Sequence, residues 1–285
     1  MILLHISDLH FGAPYLEPVG EALLAKIHEL EAEAIVVSGD LTQRAKPAEF
    51  RRARDFLDRL PPVPQVVVPG NHDVPLYRIG ERLLRPRALY RRHISSRVND
   101  VLYHPDATIV GLDSTDPYRA LTNGRIRARQ LDYCARQFER APPEALRVVV
   151  LHHHLIPAPT FERPPPMPRA KRALEAFTRL EIDLVLAGHL HRAYVGNSLD
   201  VYGGEQRTHG IVIAQCGTST SRRGRGFERE KNTFNWIRLS RKTIQVVHYM
   251  YFEDGHDFAP ITRHEFVRPT HDRLPGGLPW PDRKS

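Results

Sequence analysis

Histidines, carboxylic acids and one asparagine amide occur in five short clusters whose residue types suit metal coordination. These are Asp8-Leu9-His10, Gly39-Asp40, Gly70-Asn71-His72-Asp73, His152-His153-His154 and Gly188-His189-Leu190-His191. Carboxylate, imidazole and amide oxygen ligands without a nearby cysteine suit a borderline or hard divalent ion such as Mn, Fe, Co or Zn. They disfavour a structural zinc of the thiolate type. A single ion could not use so many ligands, so two ions are expected.

Each cluster taken alone has an ordinary explanation. An Asp-x-His pair is more often a surface or capping feature than a pair of ligands. A Gly-Asn-His-Asp stretch can be a turn in which glycine and asparagine adopt positive φ. What favours a common site is the placement of the clusters, because each directly follows a short apolar run.

Seven apolar, β-rich runs predict strands covered on both faces. They are residues 2–6, 34–38, 65–69, 107–112, 147–151, 183–187 and 211–216. Helical patterns lie between several of them, at residues 21–34, 47–60, 127–141 and 169–182. This alternation predicts βαβ units with a largely parallel core, in which ligands collect at the carboxyl ends of the strands. Five of the seven runs end in the clusters above, so one edge of the fold should gather them.

The rest of the chain has a different pattern. After residue 216, "FNWIRLS" and "TIQVVHYMYFE" predict a hairpin that extends a second sheet. Residues 74–106 are helix-prone and rich in arginine and tyrosine, and form either a lid over a site or an extra surface element. We expect a single domain over residues 1–268 and a loosely ordered, Pro/Gly-rich tail over residues 269–285.

Composition limits the class of protein. A net charge of +8 and a pI near 9.7 make anionic partners plausible, although most of the arginines are expected to decorate a solvated surface. The start "MILLHISDLHFG" predicts a first strand and not a signal peptide, and no segment approaches the roughly 20 apolar residues of a membrane span. Two cysteines, Cys134 and Cys216, suggest no disulfide framework, so a cytoplasmic location is expected.

The order of the five clusters, from residue 8 to residue 191, resembles the calcineurin-like metallophosphoesterase superfamily. The resemblance implies an α/β fold, a four-layer α/β/β/α sandwich with two mixed β-sheets flanked by helices, and two divalent metal ions at the strand ends. The first metal would be held by Asp8, His10 and His191. The second would be held by Asn71, His152 and His189. Asp40 would bridge the two metals.

The implied reaction is hydrolysis of a phosphate ester. Two divalent ions about 3.5–4 Å apart can hold a shared water as hydroxide and clamp a phosphate on both sides, and in-line attack on phosphorus would follow. His72 falls where the family keeps a non-ligating histidine beside the leaving oxygen. We expect it to protonate the leaving alkoxide or to stabilise charge on the phosphoryl group, with Asp73 orienting it.

The substrate class rests on subfamily features. The series of motifs "ISDLHFG…GDLT…GNHD…LHHH…GHLH" resembles the bacterial branch that includes cyclic-nucleotide phosphodiesterases and glycerophosphodiesterases. The segment "QCGTSTSRRGRGFEREKNTFNWIRL" resembles that branch in its Gly-Thr stretch, its arginine-rich loop and its Asn-x-Phe-Asn entry to the last strands. A small phosphodiester is therefore the expected substrate. Arg222 and Arg225 are candidates to bind its phosphate, unless their charges are simply solvated.

Other functions stay open at this point. A nuclease acting on DNA or RNA fits the basic pI, but the positive charges form no single stripe with interleaved aromatic residues. A phosphomonoesterase would use the same centre. A non-enzymatic scaffold is disfavoured because the full set of ligand types is present.

The three consecutive histidines in "RVVVLHHHLIP" need separate roles. In the family the ligand is the first histidine after the apolar strand, which favours His152. Strand alternation would place His153 on the opposite side, as a structural or supporting residue. His154 is the second candidate for the ligand, but only if the strand continues, and Pro157 suggests that it soon ends.

Overall fold

The computed structural model describes residues 1–119, 124–159, 164–201, 210–224 and 231–268. The strands are β1 (Ile2–Ile6), β2 (Ala34–Val37), β3 (Gln65–Val67), β4 (Asp100–Tyr103), β5 (Ala107–Gly111), β6 (Leu146–Val150), β7 (Leu184–Ala187), β8 (Tyr194–Asn197), β9 (Val212–Gln215), β10 (Thr233–Leu239), β11 (Thr243–Phe252) and β12 (Asp257–Val267). The helices are α1 (Glu17–Glu29), α2 (Pro47–Asp58), α3 (Ile79–Leu84), α4 (Ala88–His93), α5 (Ala128–Phe138), α6 (Ala170–Arg179) and α7 (Ser198–Val201). A 3₁₀ turn covers Asn71–Asp73.

The strands form two six-stranded mixed sheets, as the sequence predicts. The first has the order β12-β11-β10-β1-β2-β3, and its members β1, β2 and β3 are parallel. The second has the order β4-β5-β6-β7-β9-β8, with β5, β6, β7 and β9 parallel and the two edge strands antiparallel. The predicted hairpin is β10–β11, but β10 pairs with β1. It therefore extends the sheet of the first three strands, and the second sheet is built from the strands between residues 100 and 215.

Alternation along each strand divides the apolar residues between two sides of a sheet. In β1, Leu3 belongs to a core shared by both sheets, whereas Leu4 and Ile6 belong to the core under α1 and α2. In β7, Leu184 and Leu186 face the shared core, and Val185 packs under α5 and α6. Helices therefore cover the outer face of each sheet, which confirms the four-layer α/β/β/α sandwich.

The four predicted helices correspond to α1, α2, α5 and α6. The last two bury one stripe each, for example Ala173, Leu174 and Phe177 in α6, at the spacing expected of an amphipathic helix. The first helix is displaced from its predicted range 21–34. It begins earlier because Pro18 is compatible with a first helical turn, and it ends before Glu31, whose φ is +46°.

Three strands were not predicted from the sequence. β4 and β8 are short edge strands of four residues each. β12 is longer but polar and largely exposed, and Pro260 lies beside a register shift opposite His248 and Tyr249. Proline is tolerated at such an edge because its missing N–H interrupts no central ladder.

Residues 74–106 form α3, α4 and β4, and arginine and tyrosine side chains attach them to the body of the fold. Tyr90 is fully buried and donates a hydrogen bond to the carbonyl of Val67 (2.8 Å). Arg82 donates to the carbonyls of Pro117 and Arg119, and the Arg87 guanidinium pairs with Asp113. These contacts attach residues 74–106 to the neighbouring strands and loops.

Two further predictions concern the C-terminal tail and membrane-spanning helices. The predicted tail at residues 269–285 lies outside the described residues. Within the described ranges, no helix is both long enough and apolar enough to cross a bilayer.

The shared core should dominate stability. Leu186 is fully buried there, so Leu186→Ala should lower the free energy of unfolding by about 2–5 kcal/mol through lost burial and a residual cavity. Urea denaturation measures this loss. Leu84→Ala is the matched control, because Leu84 is 83% exposed and should change stability by less than about 0.5 kcal/mol. Equal losses for both variants would contradict the placement of Leu186.

Candidate metal centre

The ends of five parallel strands meet at one edge of the sandwich and present the predicted clusters there. In the first sheet, Asp8 and His10 follow β1, Asp40 follows β2, and the 3₁₀ turn follows β3. In the second sheet, His152 follows β6, and His189 and His191 follow β7. The chain turns sharply at these points. Ten described non-glycine residues have positive φ, and five of them are candidate ligands: Asp8, His10, Asp40, His189 and His191. Such backbone is costly for non-glycine residues and concentrates at functional sites.

The first cluster consists of Asp8, His10 and His191, all buried. His191 Nε2 lies 3.3 Å from Asp8 Oδ1, and His10 Nε2 lies 3.7 Å from the same oxygen. The two imidazole Nε2 atoms are 3.2 Å apart. These three residues and Asp40 each offer one ligand atom. The four atoms all lie within 4.8 Å of one another, which fits a single cation.

The second cluster consists of Asn71, His152 and His189. Asn71 Oδ1 lies 3.1 Å from His152 Nε2 and 2.9 Å from His189 Nδ1. The two imidazole nitrogens are 3.3 Å apart. His152 Nδ1 donates to the carbonyl of Ser38 (2.8 Å), because a carbonyl can only accept. In the neutral ring the lone pair is therefore on Nε2, which faces the cluster.

Asp40 lies between the two clusters. Its Oδ2 is 3.6 Å from His10 Nε2 and 3.4 Å from His152 Nε2. Its Oδ1 accepts a hydrogen bond from the backbone N–H of His72 (2.8 Å). Asp8 is arranged in the same way: Oδ2 accepts from protein donors, while Oδ1 faces the histidines and has no hydrogen-bond partner in the described part of the chain. Each carboxylate therefore keeps one oxygen for a cation.

The protonation states suit coordination. Burial opposes charge on Asp40, but His152 and His72 lower its pKa well below the usual value. Burial lowers the pKa of His191 to about 3 and, with His153 beside it, lowers the pKa of His189 strongly. Burial also disfavours a charged His152, yet Asp40 and Asp8 raise its pKa to about 9. A cation that displaced this proton would satisfy the same two carboxylates.

Comparison with known proteins identifies the fold and the family. The family model described as "Calcineurin-like phosphoesterase" matches residues 1–193. The chain belongs to the calcineurin-like phosphoesterase family. The matched range includes every residue of both clusters and Asp40.

Curated relatives within this family are bacterial. A cAMP/cGMP dual specificity phosphodiesterase of Mycobacterium tuberculosis is 28% identical over 235 residues, which cover 76% of this chain and 71% of that protein. A probable cyclic nucleotide phosphodiesterase of Synechococcus is 29% identical, with 66% and 69% covered. A glycerophosphodiester phosphodiesterase of Enterobacter lignolyticus is 34% identical, but only over 26% of this chain and 30% of that protein.

Solved structures agree at the level of the fold. A dimetal phosphatase from Danio rerio superposes with a TM-score of 0.61 at 12% identity, covering 95% of this chain and 99% of its own. A purple acid phosphatase from yellow lupin seeds gives a TM-score of 0.64 at 9% identity, covering 94% and 54%.

The donor set fits the divalent cations that calcineurin-like phosphoesterases bind. Oxygen and imidazole nitrogen atoms converge, both carboxylates are ionised, and Asp8 Oδ1 is a buried acceptor with no hydrogen-bond donor among the described residues. Neither cysteine is part of these clusters.

His72 lies beside the first cluster, with its ring centroid 4.8 Å from that of His10. Its Nδ1 donates to the carbonyl of Gln43 (2.8 Å), so this carbonyl orients the ring. The sequence assigns that role to Asp73, but Asp73 bonds elsewhere. Both of its oxygens accept hydrogen bonds from the backbone of Gly70, Leu41 and Thr42. Asp73 thus stabilises the turn that contains Asn71 and His72 through hydrogen bonds to the backbone.

The histidine triplet departs from the alternation argument. β6 ends at Val150, so residues 152–154 do not alternate as a strand would. His153 is hydrogen-bonded through Nδ1 to Ser114 Oγ (2.8 Å), and its ring lies 4.8 Å from that of His189. His154 stacks on His189 at 5.7 Å. Both therefore lie on the same side as His152, with their rings against that of His189.

A cavity of about 250 Å³ opens above the clusters. Its described lining consists of Asp40, Asn71, His72, His153, His154, Pro164, Pro165, Pro166, Met167, His189, Leu190, His191 and Arg223. Arg222 is exposed and is not part of this lining, and Arg225 lies outside the described residues. Among the described residues, the arginine that lines the cavity is Arg223, whose guanidinium donates to Gln43 Oε1 (3.0 Å). Residues 74–106 contribute nothing to the described wall.

The two neighbouring histidines His152 and His153 should behave differently towards metal. His152→Ala removes a nitrogen that faces both Asn71 and Asp40, so bound cation should fall by about half in Mn-loaded protein. His153→Ala removes a ring that bonds Ser114, and cation content should be unchanged. Elemental analysis after gel filtration measures both, with circular dichroism to verify folding. Equal depletion in the two variants would contradict the assignment.

Proposed function

We propose that this protein is a two-cation phosphodiesterase that hydrolyses a small phosphodiester of the cyclic nucleotide or glycerophosphodiester type. The observation that carries the proposal is the position of Asp40 Oδ2 within 3.6 Å of one histidine from each cluster. The names of the bacterial relatives support the diester substrate.

The residues that would hold the cations are those of the two clusters. Asp8, His10 and His191 would bind one cation, and Asn71, His152 and His189 the other. Asp40 would contribute Oδ2 to both. When bound, two such cations polarise phosphoryl oxygens and lower the pKa of water, which supplies a nucleophile near neutral pH. Mn, Fe, Zn and Co all suit these ligands.

His72 supplies proton chemistry beside the clusters. Because Nδ1 donates to Gln43, the remaining nitrogen Nε2 is the atom that can exchange a proton at the cavity. Burial lowers the pKa of His72, and an approaching phosphate anion would favour its charged form. The charged ring would then donate from Nε2 to the leaving oxygen.

The cavity favours a small substrate. Its volume of about 250 Å³ and its proline wall at residues 164–166 leave room for a nucleotide-sized group. Arg223 adds a positive charge that could pair with a phosphate oxygen. Arg223 lines the same cavity as His72 and His191, and its charge adds to burial in lowering the pKa of both histidines.

A substrate panel on Mn-loaded protein tests the proposed function. It compares a bis-aryl phosphodiester, an aryl monoester, 2′,3′- and 3′,5′-cyclic nucleotides, a glycerophosphodiester and single-stranded DNA, with Asp40→Asn as the inactive control. Highest kcat/KM on a cyclic nucleotide or glycerophosphodiester supports the proposal. Monoester turnover far above diester turnover would overturn it, and DNA cleavage with a steep salt dependence would indicate a nuclease.

His72→Ala should lower kcat by about 10²–10⁴-fold, because the variant lacks the proton donor. Cation content should stay at the wild-type level, since Asp40 Oδ1 accepts from the backbone N–H of residue 72, which alanine retains. Steady-state kinetics and elemental analysis on the same preparation test this. Normal turnover would remove His72 from the mechanism.

Arg223→Gln should raise KM for the preferred diester roughly ten- to a hundredfold by removing a charged hydrogen-bond donor from the cavity. Arg222→Gln is the matched control, because it removes the same charge from an exposed neighbour outside the described cavity wall. Unchanged KM in the first variant, or equal increases in both, would contradict a role for Arg223 in substrate binding.

A further inference from the structure

A row of polar side chains crosses the core that the two sheets share. His5 on β1 is in register with Asn235 on β10, and Asn235 is in register with His248 on β11. All three are buried. Their neighbours two residues away along the strands, such as Leu3 and Ile237, belong to the shared apolar core. Polar groups in such surroundings cost free energy unless they are hydrogen-bonded.

These side chains satisfy one another across the sheet. His248 Nδ1 and Asn235 Oδ1 are 2.7 Å apart, and Asn235 Nδ2 is 3.1 Å from His5 Nδ1. His5 Nε2 then lies 2.8 Å from Ser38 Oγ. The row therefore continues from β1 to the residue that follows β2.

The row ends on a candidate metal ligand. Ser38 Oγ donates to Ser7 Oγ (2.8 Å), and Ser7 Oγ donates to Asp8 Oδ2 (2.7 Å). Both serines are fully buried. A Cβ at position 188 would collide with Ser7 Oγ, so Gly188 permits this close arrangement. We call the five residues that lead to this carboxylate the Asp8 support chain: His248, Asn235, His5, Ser38 and Ser7.

The donors of the Asp8 support chain can all point in one direction. Asp8 Oδ2 accepts, so Ser7 must donate to it, and Ser38 donates to Ser7. Ser38 Oγ can then accept from His5 Nε2–H, which leaves His5 Nδ1 to accept from the Asn235 amide. Burial lowers the pKa of His5 to about 3, which keeps one donor and one acceptor on its ring. Hydrogen bonds aligned in series strengthen one another.

We propose that the Asp8 support chain fixes the Asp8 carboxylate with Oδ1 towards His10 and His191, and thereby sets the cation affinity of the first cluster without acting on the second. The bond from His189 to Asp8 Oδ2 is donated by the backbone N–H (3.0 Å) and does not involve the His189 ring. The five residues of the support chain are positioning residues, and the proposal rests on the two-cation centre proposed above. The Asn-x-Phe-Asn segment noted in the sequence thus gains a physical role, because its second asparagine is Asn235.

The test measures cation affinity in two backgrounds that isolate the clusters. His152→Ala leaves the first cluster, and His191→Ala leaves the second. Ser7→Ala is added to each, and Mn²⁺ binding is measured by isothermal titration calorimetry. The first-cluster background should lose roughly ten- to a hundredfold in affinity, as is typical when a partner of a metal ligand is removed. The second-cluster background should be unchanged.

Ser38→Ala breaks the chain one bond further from Asp8 and should cause a smaller loss, again only in the His152→Ala background. It also provides the result if Ser7→Ala fails to fold. Thr233→Val is the matched control, because Thr233 is buried on β10 near Asn235 and its hydroxyl has no hydrogen-bond partner in the described chain. This control should bind Mn²⁺ normally in both backgrounds.

The outcomes separate the two proposals. Loss of affinity in both backgrounds, or in neither, would overturn the positioning role. Absence of Mn²⁺ binding in both single variants and in the wild-type protein would instead refute the two-cation centre. Circular dichroism melting of each variant shows whether an affinity change follows from unfolding.

Discussion

The structure of this site depends on the Asp40 carboxylate, which lies between the two clusters of candidate ligands. Asp40 Oδ1 is held by the backbone N–H of His72, so Oδ2 stays within 3.6 Å of both His10 and His152. Asp8 and Asp40 bring buried carboxylate oxygens within 4.8 Å of each other, and these would repel unless positive charge lay between them. The surrounding histidines provide only part of that charge, because His189 and His191 are held neutral. The centre is thus organised for an added cation charge, and the fold supplies the rigidity.

That rigidity comes from combining tight turns with a shared apolar core. Five candidate ligands adopt positive φ, a conformation that persists only where the surroundings enforce it. Gly39 has φ +99°, and a Cβ there would lie 2.8 Å from both Gly70 N and His152 Nδ1. The two loops therefore touch backbone to backbone directly behind the ligands. Fully buried strands such as β2 and β7 end immediately before these turns and fix where each turn begins.

Much of this could be predicted from the sequence, because apolar runs and the polar residues that end them are local features. The parallel strands, the four long helices and the gathering of Asp8, Asp40 and His152 follow from that pattern. The polar edge strand β12 could not, since its composition resembles a loop. Nor could the side of His153 or the partner of Asp73, because each depends on where a strand or turn stops. Arg223 was distinguishable from Arg222 only by the direction of two adjacent side chains.

Gln43 shows how the substrate-facing groups are joined. Its carbonyl accepts from His72 Nδ1, and its side-chain Oε1 accepts from Arg223, which is 180 residues away in the sequence. A phosphate that drew Arg223 towards itself would therefore act on the same residue that orients His72. The backbone of Gln43 is itself fixed, because its N–H donates to the carbonyl of Phe11 (3.0 Å). The carbonyl can thus hold the His72 ring in place independently of the contact between the Gln43 side chain and Arg223.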